Sequence, residues 1–442
     1  RQPKQSSFAL ALGHRMSTPS RALAAITATA SSGVVMLVVV LLATKLLTPS
    51  TQGLFFAFMS FGTLVQVGDF GLSYAVMQKA SHLVQESFEK QHGFETRIRR
   101  WGFQVAALAT AVAGALGFIS FSGWEATPEL ETVSWRAAWM LALAGLFAGQ
   151  CVSPVIALVE GSGKVETAWR LRMLQEWTGG IVFMVALILG WDLYSIALYW
   201  VGRSLVSMPL LFQRVYRGPG PLHSPALPLF RWRDEMWPFQ WRIGLSNLSG
   251  FLIFRATTIV ILSEQGPVVA GQYGFALGVM NMMLAVTTSW PNSQAAILGQ
   301  LLSVGTPLVA IADAQKTLKH SSLFALISAI GVWGLFGLAA SADLNISRRM
   351  IDLGALAVIL TTGVIHHVVC CQAVLLRAQV KEPLLAISVI GGIVNIISAF
   401  VAARFGTPLL IALSGLTCAL IGIGVTTHLF VAQCKAWRER EW

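Results

Sequence analysis

Of 442 residues, 55% are hydrophobic and only 12% are charged, with a mean hydropathy of +0.67 and a formal net charge of +11. A composition this apolar leaves no room for a sizeable soluble domain, and a basic excess that would point to nucleic acid in a soluble chain reports topology when it sits between apolar runs. The charge here does sit between apolar runs, and there are twelve of them.

A helix of about 20 apolar residues crosses the ~30 Å hydrocarbon layer, and it alone satisfies its own backbone groups there. The opening "RQPKQSSFALALGHR" has too short an apolar core for a signal peptide, so residues 1–20 are expected to be a disordered cytoplasmic N-terminus, with Met16 a candidate start. The expected spans are then 22–46, 53–78, 101–122, 136–159, 171–190 and 193–213, followed by 240–262, 270–293, 320–341, 351–375, 383–403 and 407–431. Residues 79–100 between the second and third spans read as an amphipathic helix along the membrane surface. The next connection, "SGWEATPELETV", holds three glutamates and is too short for a folded domain.

After the sixth span the chain changes character. Residues 214–239 contain five prolines and two glycines and read as an extended linker between two six-helix lobes, 21–213 and 240–431, with 432–442 as a cytoplasmic tail. The segment Gly53-Leu54-Phe55-Phe56-Ala57-Phe58 has an echo in Gly271-Gln272-Tyr273-Gly274-Phe275-Ala276, each a few residues after a proline, Pro49 and Pro267. With an even number of spans per lobe, such repeats run parallel, related by an axis along the membrane normal. Twenty-three basic residues fall on the side that holds both termini and five on the other, so the basic face is expected to be cytoplasmic. The five cysteines lie in or beside apolar runs without the spacing of a disulfide framework or a zinc site and read as small core residues.

An ionisable group inside a bilayer is costly and is a functional hypothesis by default. Arg203, Arg242 and Arg255 are candidates to line a cavity between the lobes and attract an anionic head group, for which the donor fork of arginine is suited. The structural alternatives are snorkelling for Arg242, a buried ion pair for Arg255, and tight packing beside Gly202 and Ser204 for Arg203. Asp69, between Gly68 and Gly71, reads as an ion-coupling site or as a carboxylate capping a break in its helix. Glu176 lies near the end of its span, and the adjacent His366 and His367, about 100° apart on a helix, cannot both face one cavity. "EGSGKVETAWR" contains a Gly-x-Gly-Lys but lacks the preceding strand and the Ser/Thr of a phosphate loop, and it reads as a tight turn. No nucleophile–base pair and no metal-ligand spacing is evident, so the chain is read as no enzyme, with no cofactor. Many of the fifteen tryptophans, including Trp101, Trp124, Trp191 and Trp237, lie near span boundaries and fit an interfacial belt.

The stretch from Arg21 to Ser81 resembles the opening of Wzx-like polysaccharide flippases of the multidrug/oligosaccharidyl-lipid/polysaccharide exporter superfamily. The resemblance rests on Leu47-Thr48-Pro49 at the end of the first span, the glycine and aromatics of Gly53 to Phe58, and Asp69-Phe70-Gly71-Leu72. It extends to "ALVEGSGKVETAWRLRMLQE" and to an eighth span ending at Pro291. It implies two six-helix lobes in a V and alternating access that carries an undecaprenyl-diphosphate-linked oligosaccharide from the inner to the outer leaflet of a bacterial inner membrane. The partners implied are that lipid-linked oligosaccharide, membrane lipid, and polysaccharide polymerase or chain-length machinery, with no nucleic acid. Drug and cation exporters of the same superfamily are the nearest alternative and would favour an acidic cavity. A glycan polymerase or ligase would be expected to carry a large loop on the opposite face, and a membrane scaffold would have no use for buried arginines.

Overall fold

In the computed structural model, residues 19–83, 88–123, 134–213, 215, 232, 236–303, 306–342, 350–377 and 383–439 are described. The expected N-terminal segment before Pro19, the glutamate loop, most of the linker and the last three residues lie outside the described residues. The described part is helical, with no strand among it. The first lobe comprises α1 (Pro19–Leu46), α2 (Pro49–Val67), α3 (Leu72–Leu83), α4 (Phe88–Ser122), α5 (Trp135–Gly161), α6 (Val165–Ile188) and α7 (Tyr194–Leu205), then a 3-10 turn at Met208–Leu211. The second comprises α8 (Trp237–Phe254), α9 (Ala256–Gln265), α10 (Pro267–Ser303), α11 (Pro307–Ser341), α12 (Leu353–Arg377), α13 (Leu385–Phe405) and α14 (Pro408–Glu439).

Eight of these helices are each long and apolar enough to cross a membrane, and α8 with α9, bent by 45°, makes a ninth among the described residues. Three expected spans take less regular forms. The first is α1, whose apolar described part is Ser31–Leu46. The second, expected as 53–78, begins at Pro49 and breaks between α2 and α3; the sixth, expected as 193–213, is the short α7 finished by the 3-10 turn. The seventh breaks at Arg255. Such breaks survive at membrane depth only where neighbours take up the freed backbone groups. Here Asn395 Nδ2 donates to the Leu252 carbonyl at 3.2 Å and Asn281 Nδ2 to that of Phe254 at 3.3 Å.

Two other boundaries correct the sequence reading. Residues 88–100 do not form a separate surface helix but continue straight into α4. Their charge is used locally: Arg99 pairs with Glu95 at 2.7 Å and donates to the Leu210, Leu211 and Gln213 carbonyls, tying α4 to the end of the 3-10 turn. The eighth span, Pro267–Asn292, ends beside Pro291 as expected, while the helix α10 itself runs on to Ser303. The tail is helical to Glu439, where Trp437 is buried in one hydrophobic cluster with Leu298, Ile311 and Leu376.

The two lobes repeat their packing. In the first, α5 carries α3, α4 and α7, while α6 packs on α1 and α7; in the second, α12 carries α10, α11 and α14, while α13 packs on α8, α9 and α14. The same neighbours in the same chain order make a parallel pseudo-repeat. Between the lobes, α10 lies along α1 and α2. Thr48 caps α2, its hydroxyl accepting from the Thr51 N–H at 3.2 Å, and Pro49 opens the helix. The echoing glycines then meet each other: a Cβ on Gly271 would lie 2.9 Å from the Gly53 nitrogen, and Gln52 Nε2 donates to the Gly271 carbonyl at 3.3 Å. Only glycine at both positions lets the backbones come this close.

Towards the basic face, the lobes touch again at the α2–α3 elbow. Phe70 and Gly71 take left-handed conformations, φ 50° and 78°, and a Cβ on Gly71 would stand 2.8 Å from the Gln240 carbonyl and 2.9 Å from the Gly244 nitrogen of α8. Phe70 lies against Gly244 and stacks on Trp237, with centroids 6.5 Å apart and planes at 18°. Gly71→Ala is expected to cost about 1–3 kcal/mol, since left-handed strain is joined by a backbone collision. Gly163, at φ 90° with open space around it, supplies the control, and Gly163→Ala is expected to cost about 1–2 kcal/mol from strain alone. Thermal unfolding of both variants in detergent measures the difference.

Candidate functional site

A cavity of about 340 Å³ opens inside the first lobe, between α1, α2, α5, α6 and α7. Its wall includes Trp169, Arg172 and Glu176 of α6, Trp200 and Arg203 of α7, and Gln150 of α5. On α6 the spacing from Trp169 to Arg172 to Glu176 is three and then four residues, which places all three on one helix face. On α7 Trp200 and Arg203 repeat the three-residue step. In each pair the guanidinium lies over its own indole, Arg172 at 5.2 Å from the Trp169 ring and Arg203 at 5.3 Å from that of Trp200.

Both arginines are paired. Arg203 Nη2 meets Glu176 Oε1 at 2.7 Å, and the Tyr199 hydroxyl donates to Glu176 Oε2 at 2.7 Å. Arg172 Nη2 meets Glu160 Oε2, from the end of α5, at 2.6 Å. Counting these four side chains, the cavity is formally neutral. Gln175 Nε2 donates to Ser207 Oγ at 2.7 Å, so donors and acceptors are plentiful around it while net charge is not.

Of the four residues singled out in the sequence, only Arg203 is on this wall. Arg242 is exposed on α8, its guanidinium 5.6 Å from the Trp241 ring. Arg255 stands at the junction of α8 and α9, partly buried, and its N–H donates to the Phe251 carbonyl at 2.9 Å. Among the described residues neither Arg242 nor Arg255 has an ion pair. The three arginines therefore do not share one cavity. Asp69 is buried, and both its oxygens accept from backbone, Oδ1 from Gly71 N–H at 2.8 Å and Oδ2 from Ser73 N–H at 3.1 Å. That is the cap on the first turn of α3.

The histidines part as their spacing requires. His367 is fully buried, with Nε2 3.1 Å from Ser321 Oγ and 3.3 Å from Cys371 Sγ. His366 lies edge-on to Phe254, centroids 4.8 Å apart, beside a small cavity of about 30 Å³ in the second lobe. The Gly-x-Gly-Lys is a helix end: the N–H groups of Ser162 and Lys164 donate back to Leu158 and Val159, with Gly163 left-handed. Among the described residues no group of three His, Cys, Asp or Glu could hold a metal. Sequence reasoning missed Trp169, Arg172 and Glu160, assigning Arg172 to a connection. The available signal was the repeated Trp-x-x-Arg at 169–172 and 200–203.

No protein-family model and no curated protein matches the chain in sequence. Solved structures do match in fold. A MATE transporter in its straight conformation aligns with a TM-score of 0.64 at 13% identity, over 95% of this chain and 96% of the other. The chain has the fold of a MOP superfamily transporter. The lipid II flippase MurJ in an inward closed conformation aligns at TM-score 0.61 and 13% identity, over 92% of this chain and 87% of that one. A MOP superfamily transporter from Pyrococcus furiosus, described as having a binding pocket of reversed polarity, aligns at 0.57 and 13%, over 95% and 96%. The chain is thus a multi-pass membrane protein with the two-lobe architecture expected from its sequence.

Proposed function

We propose that this protein is a transporter that moves a lipid-linked oligosaccharide, of the undecaprenyl-diphosphate kind, between the leaflets of a bacterial inner membrane by alternating access, with both termini cytoplasmic. The observation that carries the reading is Arg255, partly buried at the α8–α9 break and without an ion pair among the described residues, in a fold shared with a lipid II flippase; the exposed Arg242, near the start of α8, would be an earlier contact for the same anion on the basic side. An unpaired guanidinium within the bilayer is costly unless an anion visits it, and a diphosphate supplies one. The anionic head then travels between the lobes while the lipid tail stays in the bilayer. Asp69 is the ion-coupling candidate: its protonation would remove the charge that strengthens both N–H bonds of the α3 cap and so loosen the elbow held on α8.

A second reading, an ion-coupled multidrug exporter, draws on Glu176, a carboxylate on the cavity wall, and on the multidrug transporters that share the fold. Reconstituted proteoliposomes separate the two. With a fluorescent undecaprenyl-diphosphate oligosaccharide, wild type is expected to translocate the lipid. Arg255→Ala is expected to do so about 10–100-fold more slowly, the loss of one charge-assisted contact to the diphosphate. Export of a cationic dye with no movement of the lipid-linked sugar would establish the exporter reading instead.

A further inference from the structure

The first-lobe cavity has a feature at odds with a diphosphate site. Each of its arginines already holds a carboxylate at salt-bridge distance, Arg172 with Glu160 at 2.6 Å and Arg203 with Glu176 at 2.7 Å. A diphosphate entering here would have to displace a glutamate from its arginine and then sit beside the displaced carboxylate, an arrangement of like charges in a low dielectric. The cost falls on the ligand's charge and not on its hydroxyls. A sugar ring offers hydroxyls that both donate and accept, and it can add bonds to the free lone pairs and N–H groups of the intact pairs without breaking them. Its C–H faces are complementary to the negative face of an aromatic ring. The cavity supplies such a ring in Trp169, half-buried on the wall, and a second in Trp200, whose buried indole N–H has no hydrogen-bond partner. Its volume, about 340 Å³, is at the lower end of small-molecule sites.

We propose that the first-lobe cavity binds a neutral sugar residue of the substrate, with Trp169 as its stacking wall and the Arg172–Glu160 and Arg203–Glu176 pairs as hydroxyl contacts, while the diphosphate is met by Arg255 in the second lobe. The inference rests on the flippase reading and divides it: one lobe reads the glycan, the other neutralises the anion. The size of the cavity limits the part that is read to one or two sugars, the rest of the oligosaccharide lying outside. Arg203 is then a sugar-binding and not a phosphate-binding residue.

The test uses the full chain in nanodiscs and saturation-transfer NMR with two kinds of soluble probe. The first is a panel of methyl glycosides of glucose, galactose, mannose and N-acetylglucosamine; the second is inorganic diphosphate, whose own binding is read by phosphorus NMR line broadening because it carries no carbon-bound protons. At least one glycoside is expected to receive saturation on its ring protons, to lose it at least about fivefold in Trp169→Ala and to keep it in Trp169→Phe, since a stacked ring contributes roughly 1 kcal/mol or more. Diphosphate is expected not to displace the glycoside and to lose binding in Arg255→Gln. Glu176→Gln, which keeps the shape and removes the charge, is expected to let diphosphate compete. Displacement of the glycoside by diphosphate in wild type, a signal unaffected by Trp169→Ala, or no signal from any glycoside overturns the proposal. Failure of the flippase reading looks different: the glycoside binds as described, but the proteoliposomes move a cationic dye and no lipid-linked sugar.

Discussion

A disulfide between Phe70→Cys and Gly244→Cys, built in a background without the five native thiols, is expected to abolish transport on oxidation and to restore it on reduction. A Cβ added at Gly244 lies 2.6 Å from the Phe70 ring carbon Cγ and 2.6 Å from the Phe70 carbonyl oxygen, so the cysteine at 244 is expected to push the elbow back slightly, which carries the two Cβ positions into the ~3.5–4.5 Å that a disulfide requires. The contact joins the α2–α3 elbow of one lobe to α8 of the other on the basic side, and the Gly53–Gly271 contact joins α2 to α10 at the far end of α2. An alternating transporter cannot keep both contacts through a cycle. Gating of this kind is a switch between discrete packings, because close-packed interfaces do not stretch. The same pair left reduced controls for the substitutions themselves. Full transport by the cross-linked protein would mean that the elbow stays on α8 throughout, and the basic side would then have to open elsewhere.

The second large effect is expected at the Arg203–Glu176 pair. Arg203→Ala leaves Glu176, whose side chain is 19% exposed, with the Tyr199 hydroxyl as its remaining partner, and is expected to lower stability by about 1–3 kcal/mol. Replacing both members, as in Arg203→Met with Glu176→Leu, is expected to return stability to within about 1 kcal/mol of wild type, because neither charge is then left alone. Transport is expected to stay low in the double variant, since the hydroxyl contacts are gone. Thermal unfolding and translocation measured on the same preparations give the two halves of that statement. A double variant that transports normally would make the pair a purely structural one.

The membrane architecture was legible in the residues themselves. Twelve apolar runs and the Gly53–Gly271 echo are local or periodic features, and hydrophobic length is sufficient to specify a span because lipid demands an internally satisfied backbone. The echo proved to be more than a repeat, since the two glycines touch. The breaks were harder to read. Asp69 between two glycines marked the α2–α3 elbow, yet nothing local distinguished Arg255 as a bend, because its capping groups, Asn281 and Asn395, come from α10 and α13.

The site shows the same division. That arginines lie in apolar spans is a fact of the sequence, and their depth follows from counting along each run. Whether an arginine is free or spent is decided by what the neighbouring helix brings to it. Glu176 and Arg203 are 27 positions apart on α6 and α7, and Glu160 reaches Arg172 across a turn, so both pairings needed the packing of the lobe. The sequence by itself determined a two-lobe, multi-pass helical protein with a basic face. Only the tertiary structure decided which of its cations are neutralised, because Coulomb pairing depends on distances of a few ångström between side chains that chain order leaves unspecified.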